Sequence, residues 1–99
     1  MVREINTREI TDAVKRLSVE ANEQLGEDVL LGLQKALKSE SSPVGKEILD
    51  QLIENARLAR EEHVPICQDT GLAVIFLEVG QEVHLVGGDL KEAVNQGVR

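Results

Sequence analysis

The hydrophobic period of this chain first changes at Pro65, and the change constrains the fold more than any other feature. Before it, apolar residues recur at three- and four-residue steps, the spacing of amphipathic helices. After it come "LAVIFLEVG" and "EVHLV", apolar and β-branched runs that read as strands. The order is helices first and strands after, which predicts an α+β body.

The first helix is expected over residues 6–25, with Asn6 as N-cap, Glu9 at capping-box spacing, and Ile10, Ala13, Val14, Leu17, Ala21 and Leu25 on one face. Gly26 is a natural stop. A second helix is expected over 28–39, burying Leu30, Leu33, Ala36 and Leu37. Ser42-Pro43 opens a third as N-cap and N1, with Ile48, Leu49, Leu52, Ile53, Ala56 and Ala59 on its apolar face. Pro65 places its end near His63. The spacing thus predicts three N-terminal helices within 6–63, a loop over 64–71 and a β-hairpin over 72–86 turning at Gly80-Gln81. A further helix starts at Asp89, again with a glutamate, Glu92, three residues on.

A chain of 99 residues makes one domain at most, and its only aromatic residue is Phe76. The core must be Leu, Ile, Val and Ala. Eighteen acidic against 11 basic residues give a net charge of −7, and no basic cluster, P-loop or aromatic pair appears. Phosphate recognition needs clustered Lys and Arg, so nucleic acid is not expected as a partner. "MVREINTREI" lacks the apolar core of a signal peptide, and the longest apolar run, "LAVIFL", is far short of a membrane span. No membrane contact is expected, and the cytoplasm is the expected compartment. Arg99 falls inside or just after the last helix, which reads as a truncated chain or the front of a longer one. Helix faces left open by such a truncation would promote association, so a homo-oligomer is expected.

"HVPICQDTG", residues 63–71, joins the two regimes and holds the single cysteine, Cys67. As a free thiol it could be a small buried hydrophobe. As a nucleophile it has Glu61, Glu62 and Asp69 nearby and follows a helix C-terminus, all of which oppose a bare thiolate. A zinc site built with His63, His84 and Asp69 lacks the paired spacing that such sites show. Bonding to a cationic metal centre would deprotonate the thiol despite the acidic surroundings, and one cysteine could hold one corner of a cluster. Gln68 offers amide donors to a carboxylate. Asp69 can accept from a hydroxyl or move a proton, Thr70 supplies a hydroxyl of either polarity, and Gly71 permits close backbone approach. "QDTG" is also ordinary turn chemistry.

"EILDQLIENARLAREEHVPICQDTG", the apolar strand after it, and "GGDLKEAVNQGVR" together resemble the N-terminal part of the α subunit of class I fumarases and L-tartrate dehydratases. The likeness covers most of the chain. These are iron–sulfur hydro-lyases, and the resemblance implies that Cys67 is one of three cysteine ligands of a 4Fe–4S cluster whose fourth iron is a Lewis acid. It implies reversible hydration of fumarate to L-malate, with Gln68 and Asp69 binding substrate and Asp69 and Thr70 catalytic. L-tartrate is the alternative substrate. The other two cluster cysteines and the downstream carboxylate-binding basic residues are absent. The implied partners are the remainder of an α subunit, a β subunit and a short dicarboxylic acid, and the chain alone is expected to be inactive. A structural or binding module that kept the motif without the chemistry is the rival reading.

Overall fold

The computed structural model describes residues 1–68 and 71–99. They form β1 (Arg3–Asn6), α1 (Thr7–Glu23), α2 (Glu27–Ser39), α3 (Pro43–Glu62), β2 (Val83–Val86) and α4 (Leu90–Val98). Two compact units divide the chain, Met1–Val19 with Thr70–Arg99 as one and Glu20–Asp69 as the other.

The first unit contains two strand-to-helix steps. β1 and β2 pair in parallel with Arg3 opposite Val83 and Ile5 opposite Leu85. The Arg3 N–H donates to Glu82 O at 2.8 Å, extending the ladder by one bond. β1 runs straight into α1, whereas β2 reaches α4 through Gly87, Gly88 and Asp89. Gly87 has φ 89°, a left-handed conformation that a side chain would strain, and a Cβ there would also meet Asn6 Nδ2 at 2.6 Å. Asp89 then caps α4, accepting the Glu92 N–H at Oδ2 over 3.0 Å. The Thr11 hydroxyl of α1 donates to Ala93 O of α4 at 2.8 Å. Thr7, Val14 and Ala93 are buried there.

The second unit is built on α2 packed against α3. Leu30, Leu33 and Leu37 on α2 are half-buried, as are Leu49 and Ile53 on α3, while Ala56 and Ala59 are buried. Small residues at the closest positions let helix backbones approach. Ser42 caps α3 by accepting the Gly45 N–H at 3.3 Å, with Pro43 at the first helical position. On the solvent face Arg57 pairs with Glu54 one turn before it and with Glu61 one turn after it. Hydrogen bonding to Arg57 holds the Glu54 carboxyl below the usual carboxylate range, and the same contact raises the Arg57 guanidinium.

The α+β class, three leading helices and the start of a further one are as expected from the sequence, and the caps at Ser42 and Asp89 are those expected. The hairpin is corrected. Val83–Val86 is a strand, but it pairs in parallel with Arg3–Asn6, while residues 71–80 carry no regular secondary structure. Leu72 and Phe76 are 91% and 92% exposed. A strand apolar on both faces needs cover on both faces, and an isolated two-stranded hairpin is marginal in water. β1 was not expected, because four residues with two charges give no alternating pattern to read.

Candidate functional site

The candidate site is the loop that leaves α3. His63 ends the helix in the left-handed conformation, φ 54° and ψ 48°, and its N–H donates to Ala59 O. The Val64 N–H donates to the same carbonyl at 3.1 Å. Such double use of a late carbonyl is a common way to close a helix C-terminus. Pro65 has no N–H to satisfy. The Ile66 N–H donates to Asn22 O at 2.6 Å, taking up one of the last carbonyls of α1. The Cys67 N–H donates to Asn55 Oδ1 at 3.0 Å. Every backbone N–H from His63 to Cys67 is therefore engaged, although the loop lies at the surface.

Cys67 is a free, exposed cysteine, which removes its reading as a buried small hydrophobe. Gln68 is exposed beside it, and its Nε2 donates to Asn22 Oδ1 at 3.0 Å. Cys67 and Gln68 are thus adjacent on a loop whose backbone N–H groups from His63 to Cys67 are engaged. Asp69 and Thr70, expected as substrate-binding and catalytic groups, lie outside the described residues. His63 Nδ1 stands 3.5 Å from Glu23 Oε2, an ion pair when the imidazole is protonated. His84 lies on β2.

The donor chemistry fits one corner of a metal cluster. Cys67 can give one thiolate, and among the described residues no group of three His, Cys, Asp or Glu side chains could hold a metal ion. A groove of about 310 Å³ is lined by Leu25, Leu30, Ile53, Ala56, Arg57 and Arg60, among others, in the second unit. Its walls are mainly apolar and its two arginines are already engaged, Arg57 by glutamates and Arg60 by Leu25 O at 3.4 Å. It offers no converging set of reactive groups.

Sequence reading missed Asn22 and Asn55. Asn55 is half-buried on α3 next to the buried Ala56, and a short amide beside an apolar stripe is the signal that could have found it. Asn22 is exposed near the end of α1 and gives no such signal.

Comparison with known proteins bears on the same segment. A protein of Methanocaldococcus jannaschii provisionally named L(+)-tartrate dehydratase subunit alpha is 44% identical over 75 residues, covering 76% of this chain and 26% of its own. The L(+)-tartrate dehydratase subunit alpha proteins of Escherichia coli K12 and Shigella boydii are each 29% identical over 89 residues, which is 90% of this chain and 29% of theirs. The matched region spans less than a third of these relatives' length. No solved structure matches. The family described as fumarate hydratase (Fumerase) matches residues 11–99, a region that holds the whole loop from His63 to Gln68, and the chain belongs to that family.

Proposed function

We propose that this chain supplies one thiolate ligand and one substrate-binding amide to the composite active site of a cytoplasmic iron–sulfur hydro-lyase. The observation behind this reading is the placement of an exposed Cys67, its N–H held by Asn55, next to Gln68 within the region matched by the family. When bound, a 4Fe–4S cluster would supply Lewis acidity toward a substrate oxygen. Cys67 would hold one iron. Gln68 would donate to a substrate carboxylate, Asp69 would hold or move a proton at the hydroxyl, and Thr70 would donate to or accept from the same end. The reaction is reversible addition of water across fumarate, hydrogen to one carbon and hydroxyl to the other, giving L-malate. The remainder of an α subunit and a β subunit complete the assembly.

Dehydration of L-tartrate is the second reading, favoured by the names of the relatives, which are tartrate dehydratase alpha subunits. One experiment addresses both. This chain replaces the matched segment of the M. jannaschii relative, and the chimaera, with its β subunit, is reconstituted anaerobically with iron and sulfide. Cluster absorbance and turnover that are lost on Cys67→Ser support the hydro-lyase role, and relative rates on fumarate and L-tartrate choose the substrate. A cluster that forms equally well in the Cys67→Ser variant overturns the reading.

A further inference from the structure

We propose that Asn22 and Asn55 are positioning residues, a two-sided carboxamide clamp that fixes the Cys67 thiol and the Gln68 amide before any ligand arrives. The purpose assigned to the clamp rests on the hydro-lyase reading; its geometry does not. Three consecutive residues are each anchored by an asparagine. The Ile66 N–H goes to Asn22 O at 2.6 Å, the Cys67 N–H to Asn55 Oδ1 at 3.0 Å, and Gln68 Nε2 to Asn22 Oδ1 at 3.0 Å. Successive N–H groups of an extended segment point to opposite sides. Here one side is the last turn of α1 and the other is α3. The chain has four asparagines, at 6, 22, 55 and 95, and two of them converge on this one loop.

The choice of amide over acid has a physical reason. A carboxylate at position 55 would accept the same N–H, but it would set another negative charge beside a thiol in a chain of net charge −7. The ligating form of cysteine is the thiolate, which that charge opposes. An amide oxygen accepts without adding charge. On the other side, one N–H of Gln68 is held by Asn22 at 3.0 Å. Among the described residues its second N–H and its Oε1 take no hydrogen bond, which leaves them for a ligand carboxylate or hydroxyl. A site held this way has less ordering to do when it binds.

The test uses the 99-residue chain and needs no cluster. Amide hydrogen exchange is followed by NMR in the parent, Asn22→Ala, Asn55→Ala and Asn55→Asp chains. Asn55→Ala is expected to speed Cys67 amide exchange about five- to tenfold, the loss of one hydrogen bond, while α4 amides are unchanged. Asn55→Asp restores the acceptor and hence the protection. Asn22→Ala speeds exchange of the Gln68 side-chain amide and leaves the Ile66 N–H protected, since its acceptor is main chain. Cys67 exchange as fast in Asn55→Asp as in Asn55→Ala overturns the clamp, as does loosening of all α3 amides in Asn55→Ala. Loop responses as expected, together with a chimaera that makes no cluster, uphold the clamp and remove the hydro-lyase reading alone.

Discussion

Gly97 of α4 lies so close to Val14 of α1 that a methyl group added to Gly97 would sit 2.7 Å from the Val14 Cβ. The same methyl would sit 2.7 Å from Thr11 O, a main-chain atom that cannot swing aside. Both neighbours belong to one helix, so the contact can be relieved only by moving α4 away from it. The Thr11–Ala93 hydrogen bond would then stretch as well. Overpacking of this kind costs about 1–3 kcal/mol, against a helix-propensity gain for alanine over glycine of up to about 1 kcal/mol. Gly97→Ala is therefore expected to be net destabilising in urea denaturation. Gly32, with no atom within 4 Å of its added Cβ, is the control. Gly32→Ala is expected to stabilise by up to about 1 kcal/mol.

Asp89 is the cap of α4, and its side chain is the acceptor for the Glu92 N–H. Replacing it with alanine leaves that donor to water and removes a negative charge from a helix N-terminus. Asp89→Ala is expected to cost about 1 kcal/mol, and Asp89→Asn much less, because asparagine caps nearly as well. Equal losses in the two variants, measured by chemical denaturation, would show that the charge matters and the hydrogen bond does not.

The helices were legible because their signals are local. Ser42-Pro43 and Asp89 with Glu92 mark starts through bonds made within three residues, and Pro65 bounds an end. The strand pairing was not legible, because Arg3 and Val83 are joined by contacts eighty positions apart. Nothing near either residue names its partner. The run 72–79 reads as a strand from its own composition, which says that a segment suits a sheet but not that a sheet is there. At the candidate site the same division holds. Cys67 and Gln68 stand out by residue type, while Asn22 and Asn55 act through positions 46 and 12 residues away from their side-chain partners. Their role appears only when α1, α3 and the loop are in place.

The Glu54–Arg57–Glu61 ladder makes a pH-dependent contribution whose sign is fixed. Glu54 has its folded pKa lowered by Arg57. A lowered carboxylate pKa adds stability that is complete above the unfolded value, roughly pH 4–5, and fades as pH falls through the folded one. The groups are exposed, so the effect is small and screened by salt. Helical circular dichroism during thermal melts should fall slightly more between pH 6 and pH 3 in the parent than in Arg57→Gln. An identical acid response in both would refute this.

Gln68 separates substrate binding from cluster binding in the hydro-lyase reading. Gln68→Ala in the chimaera removes an N–H donor to a carboxylate and leaves the Cys67–Asn55 bond in place. Hydrogen bonds to charged groups contribute about 1.5–3 kcal/mol, so KM for the dicarboxylate should rise roughly 10- to 100-fold. Gln68→Glu should be worse, since it sets two carboxylates against each other. Unchanged cluster absorbance is expected in both variants, and an unchanged KM in Gln68→Ala would take Gln68 out of the substrate contacts.

Residues 72–79 lead to a prediction about association. Leu72, Val74 and Phe76 are 91%, 69% and 92% exposed, and the side chains between and beyond them are also apolar apart from Glu78. No strand is formed by the segment among the described residues, so its backbone is open to pairing as well as its side chains. A long apolar segment with free backbone groups is a template for another chain. In an antiparallel pairing of two copies centred between Ile75 and Phe76, Glu78 faces Ala73; an in-register parallel pairing would set Glu78 against its own copy. The antiparallel arrangement avoids that like-charge contact. The isolated chain should therefore form a dimer or a larger species by light scattering as concentration rises, and Phe76→Lys should shift it toward monomer by placing charges near the pairing axis. A parent chain that stays monomeric at high concentration would show that water alone suffices to solvate this segment.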